Sequence, residues 1–470
     1  MSKIKFGTDG WRAVIARDFT FDNVRKVSQA IADYVNSCKP QAERCLIVGY
    51  DCRFMSDIYA KLISEVLAAN NIRVLLTKKP TPTPAISLAI KKKSLDGGII
   101  VTASHNPPQF NGIKLKTHLA APAQEEATKV VESLIGKHAI KRIDFESALK
   151  KKKIVFTDAD RDYIKFLQSY IDIKSIRRAR HLRILIDYMH GSAAGYIEAV
   201  LGKKGPATIS LREEINPSFG GVNPEPIPKN LQASIDCIRK GRFDLCVALD
   251  GDGDRIGAIR PDGRYITSGH IISLILLHFL EERRLCGSVA KTISGTTLIE
   301  RICDRYKLTM FEVPVGFKHI SALMLKEDII IGGEESGGIG FCGYIPERDG
   351  ILSALLLIEM LATKKRSVIS IMRDIDKRYG KFCYDRIDIE YPKDKAKRLA
   401  SRLKRRPPKR IVNKKITRMK TYDGIKFIMA DSSWLLLRFS GTEPLIRIYA
   451  EAGSDRGVKR LLDAGKRLIR

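Results

Sequence analysis

The sequence predicts an α/β protein built as three similar α/β domains with mixed sheets, followed by a smaller C-terminal α+β domain. Three observations carry this. Apolar β-branched runs alternate with helix-period stretches through about residue 375. Each of the three α/β stretches ends one short apolar run in a polar loop, two of the three rich in glycine. After that point the alternation gives way to a charged helix and several short strands. At 470 residues the chain is too long for one core, and domains of about 150 residues suggest three or four.

The elements follow in order. Val24, Val27, Ile31 and Val35 lie three or four apart and predict an amphipathic helix; "CLIVGYD", Cys45–Asp51, follows as a strand. A helix opens at Ser56, and strands are expected at Ile72–Leu76 and Gly98–Val101. The run Lys150–Lys153 marks a seam. Beyond it come "RILIDY", the loop "HGSAAG" and the strand "DLCVALD". A third stretch carries the helical "IISLILLHFL" and the strand "DIIIGG"; the last hundred residues carry "WLLLRFS" and "LIRIYAE". The expected domains are 1–150, 151–258, 259–374 and 375–470.

Composition limits the function classes. The apolar fraction of 44% is globular, and no apolar stretch approaches the roughly 20 residues that span a bilayer. Nine cysteines without CxxC spacing argue against a disulfide framework or zinc ribbon, so a reducing cytoplasm is the expected location. The formal charge of +30 falls in short clusters at Lys150–Lys153, Arg177–Arg180 and Lys404–Arg410, none interleaved with aromatic residues as a stacking surface for single strands would be. Neither a nucleic acid nor a membrane is expected as a partner. The charge is read as a solvated surface that also favours an anionic substrate.

The polar loops hold the chemistry. "TASHNP" places Ser104 and His105 at a strand's carboxyl end, the edge where open α/β sheets bind ligands. The pair is no hydrolase arrangement, since GxSxG is absent. "DGDGDR" sets Asp250, Asp252 and Asp254 at alternate positions between glycines, an all-oxygen donor set suited to a hard divalent cation. It is not an EF-hand: Arg255 stands where glycine is required and Pro261 where the bidentate glutamate is required. "GGEESGG" presents Glu334, Glu335 and Ser336 on exposed backbone, a pattern open to sugar hydroxyls or to a plain hairpin. "RFSGTEP" offers the fixed charge of Arg438 with the hydroxyls of Ser440 and Thr442, the parts of a phosphate cradle. With Walker A and the kinase glycine loop both missing, phosphoryl transfer from a donor other than a nucleotide is indicated.

In this order and at these intervals, "TASHNP", "DGDGDR", "GEESGG" and "RFSGTEP" resemble the four signature loops of the α-D-phosphohexomutase superfamily, and "FGTDGWRA" is similar to that family's N-terminal segment. The resemblance covers essentially the whole chain. It implies four domains in a heart-shaped arrangement, each giving one loop to a central cleft. It implies Ser104 as a phosphoserine, with Asp250, Asp252 and Asp254 holding Mg2+ together with the serine phosphate. Lys114, Arg12, Arg255 and His105 complete the expected catalytic set. Glu334, Ser336, Lys318 and His319 are expected to bind the sugar; Arg438, Ser440, Gly441 and Thr442 are expected to clamp the phosphate that does not react.

The implied activity is interconversion of hexose 1-phosphate and hexose 6-phosphate through a hexose 1,6-bisphosphate, which also acts as activator. Glucose is the favoured sugar, with mannose as an additional one. A phosphoglucosamine mutase and a non-catalytic sugar-phosphate binder are the alternatives, and a monomer or dimer is expected. Some members end the third loop in histidine, as "GEMSGH" or "GEQSGH". Here that position is Gly338, which leaves proton transfer to Lys114 or His319.

Overall fold

The computed structural model describes residues 4–38, 43–439 and 444–469. They gather into two compact units: the described parts of Met1–Ile266, Ser321–Glu327 and Ser336–Val368 form one, and those of Thr267–Ile320, Asp328–Glu335 and Ile369–Arg470 form the other.

The first unit contains two mixed sheets. In the N-terminal one, strand order is Trp11–Val14, Phe110–Thr117, Gly97–Val101, Arg44–Tyr50, Ile72–Thr77 and Ile154–Thr157. The central strands run parallel because helices carry the chain back between them; the turn after Val101 reverses it, so Phe110–Thr117 returns antiparallel with Ile100 opposite Lys114. Gly97–Val101 is buried along its whole length, as a central strand covered by helices on both faces must be. The helices Phe21–Cys38 and Ser56–Ala69 bury Val24, Val27, Ile31, Ile63 and Leu67 in one core with the strands. The second sheet runs Tyr265–Ile266, Ile256–Ile259, Leu245–Leu249, Arg183–Asp187, Ala207–Leu211. Leu245–Leu249 and Ile256–Ile259 pair antiparallel, so the six residues between them are a tight turn at the sheet's end. Alongside lies the helix Gly350–Lys364, buried on nearly every side and capped by Asp349, whose side chain accepts from Leu352 N.

The second unit begins with parallel strands at Ser288–Thr292, Met310–Val313 and Ile329–Gly333, with the helices Ser268–Glu281 and Thr297–Tyr306. Its C-terminal part is a six-stranded antiparallel sheet in the order Cys383–Glu390, Leu445–Ala452, Trp434–Phe439, Ile425–Met429, Lys414–Lys420, Arg410–Ile411. The helices Lys393–Arg405 and Asp455–Leu468 bury Leu399, Leu403, Leu461 and Leu462 in its core. The predicted fold class, three α/β stretches and a C-terminal α+β domain, is the observed one. No helix among the described residues is long and apolar enough to cross a membrane.

Candidate active site

Ser104 follows the strand Gly97–Val101 and holds a left-handed backbone conformation, φ +53°, unusual for a residue with a side chain. The surrounding hydrogen bonds explain how it persists. Ser104 N donates to Thr102 Oγ1 at 2.8 Å, and that hydroxyl donates to Asp51 Oδ2 at 2.6 Å. The Arg53 guanidinium threads the loop: Nη2 donates to Ser104 O and Asn106 O, both at 2.6 Å, and Nη1 to Pro107 O and Phe110 O, both at 2.9 Å. Asp51, 3.3 Å away, balances its charge. Burial lowers Arg53 to about 10 and raises the Asp51 carboxyl, the cost of placing an ion pair inside the domain.

The turn Asp250–Arg255 meets this loop directly. Ser104 Oγ donates to Asp250 Oδ2 at 2.8 Å, and a Cβ added at Gly251 would lie 2.7 Å from Ser104 O, so only glycine permits the approach. Asp250, Asp252 and Asp254 are fully buried, with one oxygen from each within 4.8 Å of the others. Lys114 Nζ donates to Asp252 Oδ2 and Asp254 Oδ2, both at 2.7 Å, and lies 2.9 Å from Asp9. Thr83 Oγ1 donates to Asp252 Oδ2 at 2.6 Å, and Arg348 Nη2 to Asp254 Oδ2 at 2.7 Å. Arg348 also pairs with Asp9, and Lys116 with Glu347.

Two oxygens of this cluster, Asp252 Oδ1 and Asp254 Oδ1, are buried without a hydrogen-bond donor. A buried carboxylate oxygen left unsatisfied is costly, and a cation coordinated by the three carboxylates supplies what the protein does not. The residues therefore fit a hard divalent metal. Burial, then repulsion by Asp254 and Asp252, holds Asp250 well above the usual carboxylate range. For Asp252 burial acts in the same sense, but the Lys114 ammonium outweighs it and holds that carboxyl low. Lys114 is the mirror case: burial lowers it, Asp252, Asp254 and Asp9 outweigh burial, and it rests protonated.

Arg12 donates from Nη1 to Asn106 Oδ1 at 2.6 Å, on the strand next to the one carrying Lys114. Arg255 Nε lies 3.7 Å from Asp254 Oδ1 and 4.0 Å from Asp250 Oδ2. His105 Nδ1 is 3.5 Å from Ser104 Oγ. Burial, with Arg255, Arg12, Arg53 and Lys114 around it, keeps that imidazole neutral. Ser336 belongs to the same unit: its segment docks on the aspartate turn through Ile256 N to Gly337 O at 3.0 Å and a bridge between Gly338 and Arg255. The structure thus brings together Ser104, His105, Lys114, Arg12, the three aspartates and Arg255.

The second unit carries Glu334, Lys318, His319 and Arg438. Glu334 accepts from Gly316 N at 3.1 Å, which ties it to the turn that starts the helix Phe317–Met324 bearing Lys318 and His319. Its neighbour Glu335 turns away, accepting from Ser294 Oγ at 2.6 Å and Thr292 Oγ1 at 3.1 Å. Arg438 Nε donates to both oxygens of Asp423, at 3.1 and 3.0 Å, and Asp423 is itself anchored by Val315 N at 2.7 Å. Ser440, Gly441 and Thr442 lie outside the described residues. Sequence reasoning missed Arg53, Asp51, Thr83, Asp9 and Arg348. The signals were faint: a charged pair in "YDCRF", and Glu347, Arg348 and Asp349 in a row before an apolar helix.

Comparison with known proteins agrees with this geometry. The four phosphoglucomutase/phosphomannomutase domain models match in order: alpha/beta/alpha domain I at residues 3–141, domain II at 161–263, domain III at 267–379 and the C-terminal domain at 392–467. A phosphoglucomutase/phosphomannomutase from Thermococcus kodakarensis is 28% identical, over 99% of this chain and 98% of its own. A phosphoglucosamine/phosphogalactosamine mutase from Sulfurisphaera tokodaii is 26% identical over the same shares. Among solved structures, a candidate phosphomannomutase from Thermus thermophilus superposes with a TM-score of 0.88 at 32% identity, over 100% of this chain and 99% of that one. With an aspartate cluster built against a serine and all four domain models in sequence, the chain belongs to the phosphoglucomutase/phosphomannomutase family of phosphohexomutases.

Proposed function

We propose that this enzyme interconverts hexose 1-phosphate and hexose 6-phosphate, with glucose the favoured sugar, through a phosphoserine at Ser104. The observation that carries the reading is the seat of Ser104 Oγ, 2.8 Å from a carboxylate of a buried aspartate cluster that has two orphaned oxygens. In the forward half-reaction the bond from phosphorus to Ser104 Oγ breaks, and a bond forms from phosphorus to the free hydroxyl oxygen of the sugar monophosphate. That hydroxyl loses its proton and the serine oxygen gains one. The resulting hexose 1,6-bisphosphate turns over and returns its other phosphoryl group to Ser104; the same bisphosphate, supplied from outside, charges an unphosphorylated enzyme.

Asp250, Asp252 and Asp254 would hold Mg2+, which supplies Lewis-acid neutralisation of the transferring phosphoryl oxygens. Lys114, resting as an ammonium, is suited to give a proton to the departing serine oxygen rather than to take one from the sugar. His319 is left as the candidate base. Arg12 and Arg255 offset charge on the phosphoryl group. Glu334 and Ser336 accept and donate to sugar hydroxyls. Arg438, held in one orientation by Asp423, grips the other phosphate with Ser440, Gly441 and Thr442.

A phosphoglucosamine reading is favoured by one finding, the amino-sugar mutase from Sulfurisphaera tokodaii among the relatives. The middle glutamate of "GEES", turned inward to Ser294, distinguishes this loop from the "GEQS" form and supports glucose. The test is turnover of the 1-phosphates of glucose, mannose and glucosamine with Mg2+ and a trace of the matching bisphosphate, comparing wild type with Ser104→Ala. The expected result is highest kcat/KM for glucose and none for the variant with any sugar. Full activity in Ser104→Ala would refute the phosphoserine, and a higher kcat/KM for glucosamine would refute the sugar assignment.

A further inference from the structure

The net charge of this protein is not spread evenly. Residues 393–420 hold fourteen lysines and arginines against one acid, Asp394, so this short stretch carries more than two-fifths of the chain's +30. In the structure it forms the helix Lys393–Arg405, a turn, and the paired strands Arg410–Ile411 and Lys414–Lys420 at one edge of the C-terminal sheet. All of the fourteen except Lys414 and Lys420 are exposed.

The helix shows how the exposure arises. Ala396, Leu399 and Leu403 form a narrow buried stripe on the sheet core, and seven of the other ten positions are basic. Arg402 Nη2 donates to Leu468 O at 3.0 Å, placing the helix beside the carboxyl end of Asp455–Leu468, whose exposed Lys466 and Arg467 extend the same charge.

Against the expectation from the sequence that no nucleic acid is a partner, we infer that this edge of the C-terminal domain binds double-stranded nucleic acid through its phosphates, without reading sequence. Four features select that partner. A helix of 13 residues is about 20 Å long, and a duplex presents one phosphate charge per roughly 1.7 Å of axis with both strands counted, so about a dozen phosphates lie along it and about half of them face its seven basic side chains. No aromatic residue occurs in 393–420, which removes the stacking platform that single strands require. The apolar stripe of the helix is already used in the core, so it has no face to insert between lipids. Six of the fourteen are arginines, suited to bidentate phosphate contacts. This inference is independent of the sugar-phosphate reading, because none of these residues is placed in the active site.

The experiment titrates the full-length protein into a fluorescein-labelled 20-base-pair duplex, as DNA and as RNA, at 50 to 200 mM KCl, with fluorescence anisotropy as readout. With about six phosphate contacts, affinity should fall roughly a thousandfold across that range, a log–log slope near −5. The variant Lys397→Glu/Arg398→Glu/Arg405→Glu/Arg406→Glu changes only exposed side chains. It should keep mutase turnover and flatten the slope by about 3 to 4. Absence of duplex binding at 50 mM KCl would overturn the proposal. So would binding that the folded, active variant retains, or tighter binding to a single strand of the same length or to phosphatidylserine vesicles at equal phosphate.

Discussion

Replacing Arg53 by methionine removes the guanidinium that holds the serine loop while keeping a side chain of similar reach. Four carbonyl oxygens then lose their donor, and Asp51 is left as a buried carboxylate without its counter-ion. Breaking one side of a buried ion pair costs about 3–5 kcal/mol, and part of each charged hydrogen bond is contained in that figure, so the two are not added. The packing of Arg53 over the Phe219 ring at 4.9 Å is kept in large part by methionine, which makes charge and donors the quantities tested. Stability should therefore fall by about 3–5 kcal/mol in urea denaturation. Ser104 would relax from its left-handed conformation, and a displacement of the nucleophile by about 1 Å costs roughly a hundredfold in rate. The loss should appear in kcat, with KM changed little, because the sugar and its distal phosphate are gripped by other residues. Arg53→Lys, with the charge but no planar fork, should fall between. Glucose 1-phosphate turnover within about threefold of wild type, from a protein equally stable in urea, would refute the role given to Arg53.

Two other perturbations separate stability from activity. Asp250→Asn relieves repulsion among three buried carboxylates while leaving the acceptor for Asp254 N and Arg255 N. The metal-free protein should change little in stability, the relieved repulsion being set against a cation left in excess, yet lose turnover and the thermal stabilisation by MgCl2, with stability read by differential scanning fluorimetry with and without the ion. Asp349, capping the helix Gly350–Lys364 with Tyr163 Oη 2.8 Å from both its oxygens, is raised to about 7, chiefly by burial. Unfolded, it would ionise near pH 4, so its contribution to stability is complete below about pH 4 and is lost as the pH rises to about 7, by up to roughly 4 kcal/mol. Asp349→Asn should lack that slope: urea midpoints at about pH 4.5 and 7.5 should show the variant gaining on wild type as pH rises, and parallel profiles would contradict the assignment.

How much of this was legible in the sequence depends on how far each contact reaches along the chain. Strand ends, the Asp250, Asp252 and Asp254 spacing and the buried helix at Ile271–Leu280 are local patterns, each readable within a short window. Arg348 on Asp254, Asp9 beside Lys114 and Thr83 on Asp252 join positions 94, 105 and 169 residues apart, and no local period announces them. The loop "GGEESGG" reads as one feature in the sequence, but its glutamates belong to one unit and Ser336 to the other, because Gly337 and Gly338 dock on Ile256 and Arg255. The basic edge was partly visible as Lys404–Arg410. What extends it is the helix Lys393–Arg405, whose three buried positions turn the neighbouring lysines and arginines outward.

The charges of the site carry one more consequence. Counted formally, Asp9, Asp250, Asp252, Asp254 and Glu347 face Arg12, Lys114, Lys116, Arg255 and Arg348, and the pair Asp51 with Arg53 balances itself. With every carboxyl ionised the cluster is therefore neutral when neither a metal ion nor a phosphoserine is present. A divalent cation alone leaves it at about +2 and a phosphoserine dianion alone at about −2, both costly in a buried site, whereas the two together restore balance. Loading of Ser104 and of the aspartates is thus coupled, and by linkage each must tighten the other equally. At a coupling of about 1.4 kcal/mol, modest for charges this close, phosphorylated enzyme should bind Mg2+ about tenfold more tightly than dephosphorylated enzyme in isothermal titration calorimetry. Equal affinities in the two forms would show that solvent, rather than the protein's own ion pairs, balances the site.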